Sequence, residues 1–483
     1  MFGLLLSVIW NIYILQVNAE FQVTVESGTI VGKKYDNYSV VGYLGIPYAE
    51  APVGEKRLQN PVKFGNFDGA YTANKWSKRC HRFRNGIPSN EESEDCLYLN
   101  ILLPTNTSRK PHLLVVFTNG GLDETILLNY IADVRSLAFA VVHFRQGPLG
   151  FFADESPGIA DVKLALQWLK KNSDKFGYVD ITVMAENDDA SVLAYALAQI
   201  ENDVFSRAIL LNGNTAVRRF KPEYRRTKGL ILLLKATDCL KDKLDETKAC
   251  VKALDIEELI KATRRLKYLD TFGSSFRPKQ SVDDKIYPVL MGFQSSLSDE
   301  YRTDDDFDVR YSEGQFNKFL SDVFSEKEYK NAAFLRKLAY HHYLLHDRDI
   351  IVPTRNLVFS LRPKLNPVYV LEYVTKNPIY TCLNSYSGAV FENFCGRIWK
   401  YFTRFATHGE PAETKCSLED PSFPRLMSTK RDYYLRVDEN GAATWEFQFY
   451  QSGYAFWNNL VPLVEKHNVT IEKTNTKQAK TEL

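Results

Sequence analysis

The chain has 483 residues, 45% hydrophobic and 13% aromatic, which is ample apolar material for a large buried core. Its 61 basic and 59 acidic side chains leave a net charge of +2. That balance carries no electrostatic footprint for nucleic acid and predicts the surface of an ordinary globular protein.

Residues 1–19, MFGLLLSVIWNIYILQVNA, are apolar and end in the small-residue pattern Val17-Asn18-Ala19. They predict a secretory signal peptide removed near Ala19, followed by one domain over 20–465 and a polar tail over 466–483. No basic residue precedes the apolar run, so an uncleaved anchor is the alternative. No later run of about 18 apolar residues appears, so no transmembrane anchor is expected after the signal peptide. An oxidising compartment gives the seven cysteines a meaning. Cys80 with Cys96, and Cys239 with Cys250, are the natural short disulfide loops, while Cys382, Cys395 and Cys416 cannot all pair within one chain. Asn37, Asn106 and Asn468 each open an Asn-X-Ser/Thr sequon. The last four residues, Lys480-Thr481-Glu482-Leu483, resemble a retrieval signal of the endoplasmic reticulum, so both retention in its lumen and secretion stay open.

Along the chain, short apolar strands alternate with amphipathic helices. His112 to Phe117 and Leu137 to Phe144 are continuous apolar runs, the pattern of strands buried on both faces. Asp161 to Gly177 predicts a helix with Leu164, Leu166, Trp168 and Leu169 on its apolar side and Gly177 ending it. A strand over Asp180 to Ala185, a helix over Asp188 to Ile200 and a strand over Arg207 to Gly213 follow. This succession forces parallel neighbours with right-handed crossovers, hence a doubly wound, mostly parallel α/β sheet. From about Phe220 to Leu345 the pattern is helical and charged, an insertion over the sheet that includes the solvated stretch YRTDDDFD. Strand character returns over Asn366 to Val374, and helices follow over Gly396 to Gly409 and Tyr454 to His467.

The local motifs then join up. LGIPYAEAPVGEKRL (Leu44 to Leu58), SEDCLYLNI (Ser93 to Ile101) and FRQGPLGFF (Phe144 to Phe152) resemble ordered signatures of the type-B carboxylesterase and cholinesterase family. LALQWLKKNSDKFG, VFSRAILLNG, FTRFATHGEP and FWNNLVP fall in the same order, so the resemblance runs from Phe21 to Val464. It implies the α/β-hydrolase fold and ester hydrolysis by a serine on a strained elbow, a histidine base and an orienting glutamate.

Each implied part has a position here. The family's Gly-Glu-Ser-Ala-Gly elbow falls on Ala185-Glu186-Asn187-Asp188-Asp189, so Asn187 stands at the nucleophile, and an amide forms no acyl-enzyme. Loss of both flanking glycines, with Asp189 at the second, predicts a relaxed turn. The base should lie between the strand over Asn366 to Val374 and the helix ending at His408, yet Thr375 to Lys400 contains no histidine. The eight histidines are His81, His112, His143, His341, His342, His346, His408 and His467, with His408 expected as a helix C-cap. His342 and His346 have the i, i+4 spacing of a metal pair, but no carboxylate completes a motif, and neither metal nor cofactor is expected. The acid position falls on Leu297 by ungapped spacing, or on Glu300 with a shift. The oxyanion loop reads Thr118-Asn119-Gly120-Gly121-Leu122, where Gly120 and Gly121 match the family's donor glycines.

The resulting expectation is a catalytically inactive carboxylesterase-like protein of the secretory pathway, a scaffold that binds a protein partner or a small hydrophobic ligand. The alternative is an ester hydrolase or acyltransferase with a non-standard nucleophile. Asp188 would serve after a one-residue shift, whereas Ser191, Ser385 and Ser387 have no base in sight. As the plain reading, Asp188 and Asp189 form a solvated helix start that suits the helix dipole.

Overall fold

The computed structural model describes residues 21–83, 89–152, 156–201, 203–217, 223–263, 287–294, 321, 324–332, 335–336, 351–361, 367–373, 378–383, 394–412, 434–438, 440–446 and 455–466. The signal-peptide stretch, the C-terminal tail after Lys466, Cys416, Asn468, Leu297, Glu300, Ser385, Ser387, His341, His342, His346, His467 and YRTDDDFD lie outside them.

The apolar runs become one sheet. Its strands are β1 (Lys33–Tyr35), β2 (Val40–Pro47), β3 (Tyr98–Pro104), β4 (His112–Phe117), β5 (Leu137–Val142), β6 (Ile181–Glu186), β7 (Arg207–Leu211), β8 (Val289–Gln294), β9 (Val368–Tyr373), β10 (Tyr434–Val437) and β11 (Ala443–Glu446). The order across it is β11-β10-β9-β8-β7-β6-β4-β5-β3-β2-β1. From β5 through β10 every neighbouring pair is parallel, and the two margins are antiparallel. The expected mostly parallel α/β sheet is therefore present.

Five helices matter for the site: α1 (Glu124–Val134), α2 (Pro157–Phe176), α3 (Asn187–Leu197), α4 (Val352–Leu361) and α5 (Phe394–His408). The central strands are buried on both faces, which is why they read as unbroken apolar runs rather than alternating ones. Alternate residues serve separate cores. Val115, Phe117 and Val183 pack with Val162, Leu166 and Leu169 of α2 and Leu193 of α3. Leu114, Val116 and Met184 pack with Leu127 and Ile131 of α1 and Trp399, Phe402 and Phe405 of α5.

The predicted helices are found with shifted bounds. α2 starts four residues before Asp161 and ends on Gly177 at φ +76, the left-handed cap expected there. Its apolar stripe differs from expectation, because Leu164 is half-buried while Ile159, Val162 and Ala165 are fully covered. In the stretch expected to be a helical insertion over 220–345, helices span Glu223–Ala236, Leu244–Ala253 and Ile256–Thr263, but β8 also falls there, a fully buried central strand paired with β7 and β9, so the expectation of a purely helical insertion is corrected. The last predicted helix is a π-helical turn over Ala455–Leu460 that passes into an α-helix over Val461–Lys466. Among the described residues, no helix is long and apolar enough to cross a membrane.

Cys80–Cys96 and Cys239–Cys250 are bonded as expected, and a third disulfide joins Cys382 to Cys395. Of the three cysteines whose pairing the sequence left open, only Cys416 remains, outside the described residues.

The loop after β5 is fixed by a buried ion pair. Arg145 is 3% and Asp161 0% exposed at the side chain. The guanidinium donates from Nε to Oδ2 at 2.8 Å and from Nη2 to Oδ1 at 2.7 Å, and the Arg145 N–H donates to Oδ2 at 3.0 Å. Asp161→Asn leaves a buried guanidinium without its counter-charge. Urea denaturation should show a loss of about 3–5 kcal/mol, the usual cost of breaking one side of a buried pair.

Candidate functional site

The strand order reverses beside β4. The chain moves from β4 outward to β5 and then returns to place β6 on the other flank of β4. The carboxyl ends of β4 and β6 therefore form the topological switch point, the usual site of a ligand in an open α/β sheet. The two segments singled out in the sequence, Thr118 to Leu122 and Ala185 to Asp189, both lie there.

The elbow has not relaxed, contrary to the expectation drawn from its missing glycines. Asn187 opens α3 directly after β6 with φ +55, in the left-handed region that strains most side chains. Asn is among the few non-glycine residues that tolerate that conformation. The turn packs closely on Gly213, where a Cβ would lie well inside contact distance of the Asn187 carbonyl oxygen, the Ala190 methyl and the Ser191 nitrogen, so position 213 has room only for glycine. Asn212, itself at φ +53, donates from Nδ2 to Asn187 Oδ1 at 3.4 Å and accepts from the Gln294 N–H at 2.7 Å.

Asp188 and Asp189 are half-buried rather than solvated, and Asp189 accepts from the Gln146 side-chain amide. Both carboxylates sit in the first turn of α3, where the helix dipole favours negative charge. Glu186 accepts from the Ile379 N–H at 3.0 Å, which ties the residue before the elbow to the short helix Pro378–Leu383. Ser191 is buried in α3 against Gly213.

The oxyanion loop is turned on itself. The Gly120 N–H donates to Thr118 Oγ1 at 2.9 Å. Asn119, fully buried, donates from Nδ2 to the Phe144 carbonyl at 2.7 Å. The guanidinium of Arg79 lies against Gly121, with Nη1 2.5 Å from where a Cβ would stand, and it pairs with Glu91. One of the two amides that the resemblance assigns to an oxyanion is therefore engaged within the loop, and a cation is packed beside the other residue.

His408 is far from the elbow. It bonds Thr407 Oγ1 at 2.7 Å at the end of α5, where Gly409 at φ +79 makes the cap expected of the histidine. The end of α5 lies at the amino ends of the strands: Arg207, which opens β7, donates to the Ala406 carbonyl at 2.9 Å, and Thr182, at the start of β6, donates to the same oxygen at 3.3 Å. Asp188 follows β6, so a six-residue strand of roughly 20 Å separates the end of α5 from the elbow. Among the described residues, no group of three or more His, Cys, Asp or Glu is arranged to hold a metal ion. An apolar cavity behind α3, lined by Ala194, Leu210, Asn214, Met291 and Leu357, is about 20 Å³, the space of a water molecule rather than of an organic ligand.

The supporting roles of four residues escaped the sequence reading: Thr118, Arg79, His143 and Gly213. Thr118 carried a usable signal, since a threonine two residues before a loop glycine is an ST-turn former. The others act through contacts distant in sequence. His143 is buried under the loop, with Nδ1 2.8 Å from the Thr118 carbonyl. Burial pushes its pKa down to about 4, Arg79 adds to the depression, and the Thr118 carbonyl opposes it. The neutral ring donates to that carbonyl.

Two tests follow. Asn187→Gly should keep the turn, with stability within about 1 kcal/mol of wild type, whereas Asn187→Val should cost about 1–3 kcal/mol in urea titration because a branched side chain resists a positive φ. His143 stays neutral in the folded protein, while the unfolded chain takes up its proton near pH 6.5. Its contribution is therefore present above that pH and is lost as the pH falls toward about 4. By pH 5 the loss is about 2 kcal/mol. His143→Gln should reduce the fall in urea stability between pH 7 and pH 5 by that amount, and equal falls in the two proteins would contradict the assignment.

Comparison with known proteins accords with this geometry. The profile of the carboxylesterase family matches residues 19–294, which end at β8 and stop short of the expected reach to Val464. A cholinesterase of Mus musculus is 29% identical over 278 residues, 51% of this chain and 46% of its own length. An acetylcholinesterase of Danio rerio is 30% identical over 283 residues, 50% of this chain and 44% of its own. Venom carboxylesterase-6 of Apis mellifera is 30% identical over 230 residues, 42% and 40% respectively. The chain spans a little under half the length of the curated relatives it matches.

Proposed function

This chain belongs to the carboxylesterase family, and we propose that it does no ester chemistry and serves as a binding scaffold of the secretory pathway. One observation carries the reading. Asn187 occupies the nucleophile position in the elbow's own backbone conformation, with its amide oxygen engaged by Asn212. The presentation that would expose a serine is kept while the reactive atom is replaced by an amide, which has no ionisable oxygen.

Three further observations support it. The Gly120 amide is engaged by Thr118, so an arriving carbonyl oxygen would have to displace that hydroxyl. The sequence between β9 and α5 has no histidine to serve as base, and the short helix Pro378–Leu383 in that stretch is tied to Glu186 and to the Cys382–Cys395 disulfide. The three disulfides, the apolar leader and the sequons suit an oxidising luminal or extracellular setting. The scaffold's partner is a protein surface or a small hydrophobic molecule.

The test is hydrolysis of short p-nitrophenyl esters by the purified mature chain, beside an Asn187→Ala/Asp188→Ala double variant. Both should match buffer. Asn187→Ser should also match buffer, because a serine without a base remains a neutral alcohol. Turnover by wild type that the double variant lacks would make the elbow a working nucleophile site and overturn the proposal.

A further inference from the structure

Two of the three sequons, separated by nearly seventy residues in sequence, meet in space. Asn37 sits in the 3-10 turn Asp36–Tyr38, which leaves β1 and enters β2. Asn106 lies in the turn that follows β3. β2 and β3 pair antiparallel with Val40 opposite Pro104, so the two turns emerge side by side. Thr105 then closes the gap. Its N–H donates to the Ser39 carbonyl at 2.8 Å and its hydroxyl to the same oxygen at 2.9 Å. Ser39 is the hydroxyl residue of the first sequon, and Thr105 immediately precedes the asparagine of the second. From Asn37 to Asn106 the path is three peptide units and one cross-strand step, so the two Cα atoms are at most about 17 Å apart.

Both asparagines are exposed, and so are Lys33 and Lys34 beside them on β1. β1 is the terminal strand of the sheet among the described residues. It has three residues, and a short strand bearing lysines is a familiar way to blunt an edge. The turn carrying Asn37 continues directly from that strand, and the turn carrying Asn106 leaves the sheet at the same end.

We infer that Asn37 and Asn106 both carry N-linked oligosaccharides, and that the two glycans form one hydrated cover over the β1 margin that keeps it from pairing with another chain. The chemistry is the transfer of a lipid-linked oligosaccharide to each side-chain amide nitrogen, which loses a proton as the dolichol diphosphate leaves. The inference rests on passage through the secretory pathway and is independent of whether the elbow is catalytic.

The test uses the full chain expressed in a eukaryotic secretory host. Wild type, Asn37→Gln, Asn106→Gln and the double variant are compared by electrophoretic mobility before and after peptide-N-glycosidase treatment, and by light scattering in solution. Each single variant should lose one mobility step and the double variant two. The double variant should then scatter as a larger species than wild type. Enzymatic deglycosylation of folded wild type should give the same increase, which separates the glycan from any folding defect of the variants. An unchanged mobility in either single variant would overturn the paired cover. Loss of both steps with no change in mass, in the double variant and in the deglycosylated wild type, would overturn the protection of the edge.

Discussion

The fold around the site depends on one ion pair in which neither charge reaches water. Arg145 and Asp161 are joined by two side-chain hydrogen bonds and one from the Arg145 backbone, and Arg145 also reaches the Gln59 carbonyl at 2.8 Å. Three separate segments are thereby held together: the chain after β2, the loop after β5 and the N-terminal part of α2. Gly150 and Gly158 pack on the Arg145 carbonyl so closely that neither has room for a side chain. The desolvation of two ions is tolerable only because their polar atoms are this well matched. Gln146, next in the chain, then reaches Asp189 on α3. The first turn of α3 is thus braced by a contact whose neighbour in the chain is the structural ion pair.

The sheet was legible because parallel strands covered on both faces leave a simple record, an unbroken apolar run between polar turns. His112 to Phe117 and Leu137 to Phe144 were found this way, the second strand ending at Val142. Gly177 was legible because a helix that must end in the left-handed region has few other choices. Helix bounds were harder: the start of α2 lies at Pro157, where a fixed φ suits a first turn, whereas its apolar periodicity becomes clear only later. Of the stretch from Phe220 to Leu345 only the helical character was legible, and β8 within it was missed, because its short apolar run is embedded among charged amphipathic segments.

At the site, identity was legible and geometry was not. The sequence placed an asparagine at the nucleophile and two glycines in the facing loop. The relaxed turn inferred from Asp189 was wrong because asparagine itself tolerates a positive φ. The close approach of Gly213, more than twenty residues onward, left no local signal. The same holds for Arg79 against Gly121 and His143 beneath Thr118. Both contacts cross between segments that no periodicity connects.

The backbone at Asn187 also narrows what this position can become. Because residue 187 lies at a positive φ and packs closely on Gly213, substitutions there are filtered first by conformation and only afterwards by chemistry. Glycine, asparagine and aspartate pass such a filter readily, and branched side chains do not. The position is thereby open to a change of functional group and closed to most changes of shape.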